Sequence, residues 1–156
     1  MDIRWVAPPT LAAGSIPITV KDLRKLKAQN IQVIVTLTEH PLTAQTGITA
    51  AILEELGFIC YHAPIIDYQP PEKSLALKTA RFISDMQAEG KPVYLHCYAG
   101  EGRTGTMLHV LYLTAGLTLD EAKARVRDGK PSSDFSLLSD TQQAFLESLA
   151  AEFSSH

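Results

Sequence analysis

The twelve residues at 94–105, "YLHCYAGEGRTG", concentrate most of the chemistry that this chain can do. An apolar run ends in His96 and Cys97, and Arg103 follows after five residues that include two glycines. A strand that ends there, a tight loop and a helix that starts near Arg103 would turn the amides of Tyr98, Ala99, Gly100, Glu101, Gly102 and Arg103 inward. Gly100 and Gly102 supply the conformational freedom for that curvature. A ring of amides at the positive end of a helix binds an anion of phosphate size. The Arg103 guanidinium can grip two oxygens of such an anion, which a lysine cannot. The same field favours a thiolate: cysteine titrates near ~8.5 in isolation and lower beside helix N-termini and cations. Cys97 is therefore expected to attack as a thiolate. The Thr104 hydroxyl is placed to donate to it and to stabilise it as a leaving group. His96 is expected to fix the loop through hydrogen bonds.

A thiolate that attacks a phosphate ester cannot also protonate the departing oxygen, so a separate acid is needed. Asp67 fits, in a loop framed by Pro64, Pro70 and Pro71 that limit its conformations. It would protonate the leaving group and then take a proton from the hydrolytic water. Neither metal nor cofactor is expected, since the five histidines show no ligand spacing. Glu39, after another apolar run, is a second carboxylate that could reach the loop and pair with Arg103. Glu101 is expected to turn its amide inward and its carboxylate outward, where it would disfavour heavily anionic substrates.

The elements that must position these groups are legible in outline. A helix capped by Thr19 runs to about residue 29, and residues 31–38, "IQVIVTLT", read as a strand buried on both faces. A helix over 44–56 ends at Gly57. A strand follows over 58–63, then a helix over 72–88 with Pro71 at its first turn. The strand 92–96 leads into the glycine loop. The helix over 103–115 is apolar nearly all round and should be buried. "TLDE" at 118–121 is a capping box for another helix, and a last helix covers about 137–153. Residues 4–17 read as an extended piece broken by prolines. Strands alternating with helices imply a single-domain α/β fold over 1–156 with a largely parallel central sheet flanked by helices. In such sheets ligands sit beyond the carboxyl ends of strands, where both Cys97 and Asp67 fall. Cys60, in mid-strand, reads as a core cysteine, the alternative being a disulfide partner of Cys97 if the sulfurs lie within bonding reach. Arg125, Arg127 and Lys130 read as a solvated helix face, the alternative placing Lys130 on the pocket rim.

Composition bounds the rest. The chain has 156 residues, 46% hydrophobic and 20% charged, with a formal net charge of −3. That charge does not suit a dedicated nucleic-acid binder. Two cysteines cannot build a disulfide framework, the N-terminus lacks a secretory pattern, and no apolar run is long enough to span a bilayer. A cytoplasmic monomer that meets neither membrane nor nucleic acid is the expectation.

"HCYAGEGRTG" resembles the His-Cys-x5-Arg-Thr/Ser signature of cysteine-dependent protein tyrosine phosphatases. The similarity to small atypical dual-specificity phosphatases extends over about residues 4–145. "RWVAPPTLAAGSIP" resembles their N-terminal segment, "TLTEHP" a strand end, "IIDYQPP" the general-acid loop, and "GRTGTMLHVLYL" the buried helix. Asp67 precedes Cys97, as in that group. The resemblance implies nucleophile Cys97, phosphate ligand Arg103, assisting hydroxyl Thr104 and general acid Asp67. It also implies a glutamine near the start of the last helix that orients the hydrolytic water, for which Gln142 and Gln143 are the candidates. The implied activity is hydrolysis of protein phosphotyrosine, with phosphoserine or phosphothreonine if the pocket is shallow. Phosphoinositides, inositol phosphates, RNA 5′-phosphates, other small phosphate esters and phosphate binding without turnover are the alternatives.

Overall fold

A computed structural model describes residues 1–155. Five strands form one sheet: β1 (Ile3–Ala7), β2 (Leu11–Gly14), β3 (Val33–Thr36), β4 (Ile59–His62) and β5 (Val93–His96), in the order β1-β2-β5-β3-β4. β1 pairs antiparallel with β2, and every other pairing is parallel. The sheet is thus largely parallel, as the alternation of strands and helices implies. The proline-broken N-terminus is a strand hairpin rather than a loose extended piece. Pro8 and Pro9 sit in the turn, where no ladder donor is lost, and Pro17 lies beyond β2.

Among the described residues, six helices surround the sheet: α1 (Val20–Ala28), α2 (Ala50–Glu55), α3 (Lys73–Ala88), α4 (Gly102–Thr114), α5 (Leu119–Gly129) and α6 (Asp140–Ser154). Thr19, Thr118 and Ser139 cap α1, α5 and α6, each in a reciprocal capping box with the third helical residue. Two boundaries differ from expectation. The helix expected over 44–56 is a single turn at Leu42–Ala44 and then the short α2, which begins after its own cap at Thr49. Pro71 lies two residues before α3, just outside its cap at Glu72, and not in the first turn.

The core has two parts, one on each face of the sheet. On one face, α4 is buried along residues 103–110 beneath the neighbouring α3, α5 and α6. On the other, Leu23 and Leu26 of α1 pack with Ile34 and Tyr94. β3 and β5 are fully buried because both faces are covered, and β4 is the exposed edge. Cys60 on that edge is exposed and not a core residue. β3 lies between it and β5, so two strand spacings, roughly 9–10 Å, separate its ladder position from the strand of Cys97. That is beyond disulfide reach.

Candidate active site

The site lies at the carboxyl ends of β3 and β5. Cys97 follows β5 directly and is only 3% exposed. Residues 98–101 curl from there to Gly102, the first residue of α4. None of the amides of Tyr98, Ala99, Gly100 and Glu101 finds an acceptor among the described residues. Such a set of unspent donors at a helix N-terminus is an anion cradle. The loop is braced from behind. The Ile16 amide donates to the Tyr98 carbonyl at 2.9 Å, and Ser133 Oγ donates to the Glu101 carbonyl at 3.0 Å.

Gly100 is required by both geometry and space. Its φ is +82°, and a Cβ there would lie 2.4 Å from the Gly14 backbone at the end of β2. Gly102 contributes differently from expectation. It has no positive φ, and its open flank faces the Gln142 amide, which a Cβ would meet at 3.4 Å. Glu101 occupies the cap position of α4 without a capping side-chain bond, and it is exposed, as its outward orientation requires.

Thr104 Oγ1 donates to Cys97 Sγ at 3.2 Å. His96 is fully buried, its ring held at both nitrogens. A carbonyl only accepts, so the 2.9 Å contact with Cys97 O assigns the proton to Nδ1. Nε2 then accepts from Thr36 Oγ1 at 2.8 Å. Burial pushes the His96 pKa down from 6.5 to about 4, opposed by the bond to the Cys97 carbonyl and assisted by Arg103 and His62. His96 is therefore a neutral brace that ties the Cys97 backbone to β3.

That brace has a consequence for stability. His96 binds its proton more weakly in the fold than in the unfolded chain. Its contribution is thus complete above pH 6.5 and is lost as pH falls toward about 4. The gap corresponds to roughly 3 kcal/mol. Burial also lowers the pKa of His109 and acts in the same direction. Urea unfolding between pH 7 and 4.5 should show this loss, and His96→Gln should flatten the slope. An unchanged slope in the variant would remove His96 as its source.

Arg103 is 4% exposed, and its fork is only partly spent. Nη1 donates to Glu39 Oε1 at 2.5 Å and to the Ile65 carbonyl at 3.0 Å. Nε is buried, lacks a hydrogen-bond partner and lies 3.6 Å from Asp67 Oδ1. Glu39, just beyond β3, thus does pair with Arg103. A hydrogen bond to its own backbone, followed by the bond from Arg103, holds its carboxyl below the usual range. Asp67 is exposed, with its Oδ1 also accepting from the Tyr68 amide at 3.0 Å.

The two glutamines separate. Gln142 is buried beside Gly102, with Oε1 accepting from the Ser139 amide. Gln143 turns away and donates to the carbonyls of Phe135 and Leu138. Lys130, read as part of a solvated face, is buried at the end of α5 and donates to Ser132 Oγ at 2.8 Å. Burial lowers its pKa, while nearby Cys97 and Glu101 oppose that shift. No periodicity signals this, because the α5 pattern ends one residue earlier. A cleft of about 420 Å³ opens beside the cradle, lined by residues that include Ile16, Glu39, His40, Asp67, Tyr98 and Arg103.

Known proteins share both sequence and fold with this chain. The chain is 32% identical over 113 residues to the dual specificity protein phosphatase Mpk3 of Drosophila melanogaster. The match covers 70% of this chain and 26% of that longer protein. The crystal structure of a glycine-to-alanine form of Tk-PTP superposes with a TM-score of 0.84 at 26% identity, over 99% of this chain and 98% of the other. PTPMT1 in complex with PI(5)P superposes at 0.81 with 18% identity, over 98% and 97%. That last likeness is one of fold. Residues 11–117, from β2 through the cradle to the end of α4, match the family described as "Polymorphic toxin system, DSP-PTPase phosphatase", and the chain belongs to that family.

Proposed function

We propose that the protein hydrolyses phosphate monoesters through a cysteinyl-phosphate on Cys97, with protein phosphotyrosine as the substrate. The observation that carries this reading is the unspent hydrogen-bonding capacity around the thiol. Four loop amides and the buried Nε of Arg103 have no partner among the described residues. A buried donor such as Nε is otherwise nearly always satisfied, so a ligand is its natural acceptor, and the unspent loop amides add to that demand. Phosphate offers the oxygens they need.

The chemistry follows from the positions. The Cys97 thiolate attacks phosphorus and forms an S–P bond as the P–O bond to the ester breaks. The departing oxygen takes a proton from Asp67. Water then attacks phosphorus and gives a proton to the Asp67 carboxylate. The S–P bond breaks, inorganic phosphate leaves, and the thiolate returns with the Thr104 hydroxyl aimed at it. Nucleophile, cation and acid all come from this chain, so the scheme runs without a metal. Gln142, beside Gly102, is the better placed of the two glutamines to meet the hydrolytic water.

The rim favours a peptide over a polyphosphorylated headgroup. Glu39 and Asp67 line the cleft and Glu101 is exposed on the cradle loop, so the mouth opposes further negative charge. Exposed Tyr98, Ile66 and Tyr68 offer apolar surface to an aryl ester and its neighbours. Hydrolysis of p-nitrophenyl phosphate in the presence of chelator tests the reaction. No turnover alongside measurable phosphate binding would leave only a binding module. Phosphopeptides assayed against phosphoinositides test the substrate class.

Asp67→Asn is expected to discriminate between leaving groups. General acid catalysis contributes about 10²–10⁴-fold where the leaving oxygen needs a proton. Phenyl phosphate, whose leaving oxygen is about as basic as that of tyrosine near pKa ~10, should slow about a hundredfold or more. p-Nitrophenyl phosphate should slow roughly tenfold less. Equal slowing of both would take the acid role from Asp67.

A further inference from the structure

The loop that carries Asp67 is held from outside by one element. Residues 66–69 form a tight turn, closed by the Gln69 amide donating to the Ile66 carbonyl at 3.0 Å. At its apex Tyr68 has a φ of +64°, a left-handed conformation that is costly for a bulky residue. Its side chain does not account for this, being 73% exposed. The carbonyl does. Tyr68 O accepts from Ser139 Oγ at 2.7 Å and from Thr141 Oγ1 at 3.2 Å. The next carbonyl, of Gln69, accepts from Gln142 Nε2 at 3.4 Å.

Three side chains at the start of α6 therefore converge on two successive carbonyls. The positive end of the helix dipole adds to that attraction. The amide of the same Tyr68 donates to Asp67 Oδ1, which lies 3.6 Å from Arg103 Nε. One residue thus links the helix end, through its carbonyl, to the carboxylate, through its amide.

We propose that the N-terminus of α6, through the Ser139 and Thr141 hydroxyls, is a clamp that positions Asp67 for proton transfer. The proposal deepens the phosphatase reading and rests on it. Ser139 and Thr141 touch neither the nucleophile nor the cradle and act through the loop, so they are positioning residues. Proton transfer needs the acid within hydrogen-bond reach of the leaving oxygen, and a displacement of ~1 Å can cost about 10²-fold. Releasing the Tyr68 carbonyl would free the turn from its strained conformation and let the carboxylate drift.

Thr141→Val is the clean variant, because Thr141 is exposed and is not the helix cap. Ser139→Ala also removes a cap, so it is read together with its melting temperature. In the full chain, Thr141→Val is expected to lower kcat on phenyl phosphate about fivefold. The change with p-nitrophenyl phosphate should stay under about twofold, with inhibition by inorganic phosphate unaltered. The double variant should lose roughly tenfold or more on phenyl phosphate. Hydrogen exchange supplies a readout that does not depend on turnover: residues 66–70 should exchange at least about threefold faster in Thr141→Val, with residues 97–103 unchanged.

Equal loss on both esters, or unchanged exchange at residues 66–70, would overturn the clamp. If wild type fails to turn over any ester while exchange at the loop still responds, the clamp stands as a structural device and the phosphatase reading falls.

Discussion

Replacing Cys97 by serine is expected to abolish turnover and leave phosphate binding intact. The two atoms differ in acidity far more than in size. A thiol is readily ionised at a helix N-terminus beside an arginine, whereas an alcohol is not and needs a general base to become a nucleophile. Neither of the groups that hold residue 97 supplies such a base. His96, the nearest imidazole in sequence, has Nδ1 committed to the Cys97 carbonyl and Nε2 to Thr36, and burial keeps it neutral. Thr104 donates toward the sulfur and cannot accept its proton while doing so. By analogy with other nucleophile deletions, kcat should fall by roughly 10⁴-fold or more. The unpaired amides and Arg103 are untouched by the change. Inorganic phosphate or vanadate should therefore bind the serine variant within about threefold of wild type, measured by calorimetry. Residual turnover within about a hundredfold of wild type would mean that another group attacks phosphorus.

Arg103→Lys should be nearly as damaging to catalysis and mild for stability. The guanidinium spends Nη1 on Glu39 and the Ile65 carbonyl, and it keeps a buried Nε free near Asp67. That division needs a planar fork. An ammonium is a single point on a flexible stem and cannot hold Glu39 and two phosphate oxygens in fixed geometry. Loss of one donor that stabilises transition-state charge costs about 10²–10³-fold in kcat. kcat/KM for p-nitrophenyl phosphate should fall at least that far, with weaker inhibition by phosphate. The Glu39 carboxylate is about half exposed, so breaking its pair should shift unfolding by no more than about 1 kcal/mol. A loss of several kcal/mol in urea unfolding, with kcat/KM little changed, would make the arginine a structural residue.

The spacing of Cys97, Arg103 and Thr104 was sufficient to define the cradle. Those residues follow one another through a single strand-loop-helix, so local backbone geometry alone brings them together. The capping box at 118–121, the cap at Thr19 and the buried helix α4 were legible for the same reason, since each is a pattern over a few consecutive residues. The strand hairpin at the N-terminus was not, because its short strands are recognisable only by pairing with each other and with β5. Pro71 missed the first turn by two residues, a shift that turn chemistry sets and proline alone does not.

What the amino-acid sequence determined by itself was the kind of chemistry: a thiol, a guanidinium and glycine-shaped amides in one loop, with a proline-framed aspartate upstream. Only the tertiary structure decided how those groups are held. It set Glu39 on Arg103 across 64 residues of chain, buried Lys130 behind the loop, exposed Cys60 on an edge strand, and separated Gln142 from Gln143. It also fastened the Asp67 loop to α6 across 71 residues. The physical reason is the range of the interactions. Nucleophile and cradle arise from neighbours along the backbone, whereas ion pairs, burial and the clamp depend on which elements the sheet order brings side by side.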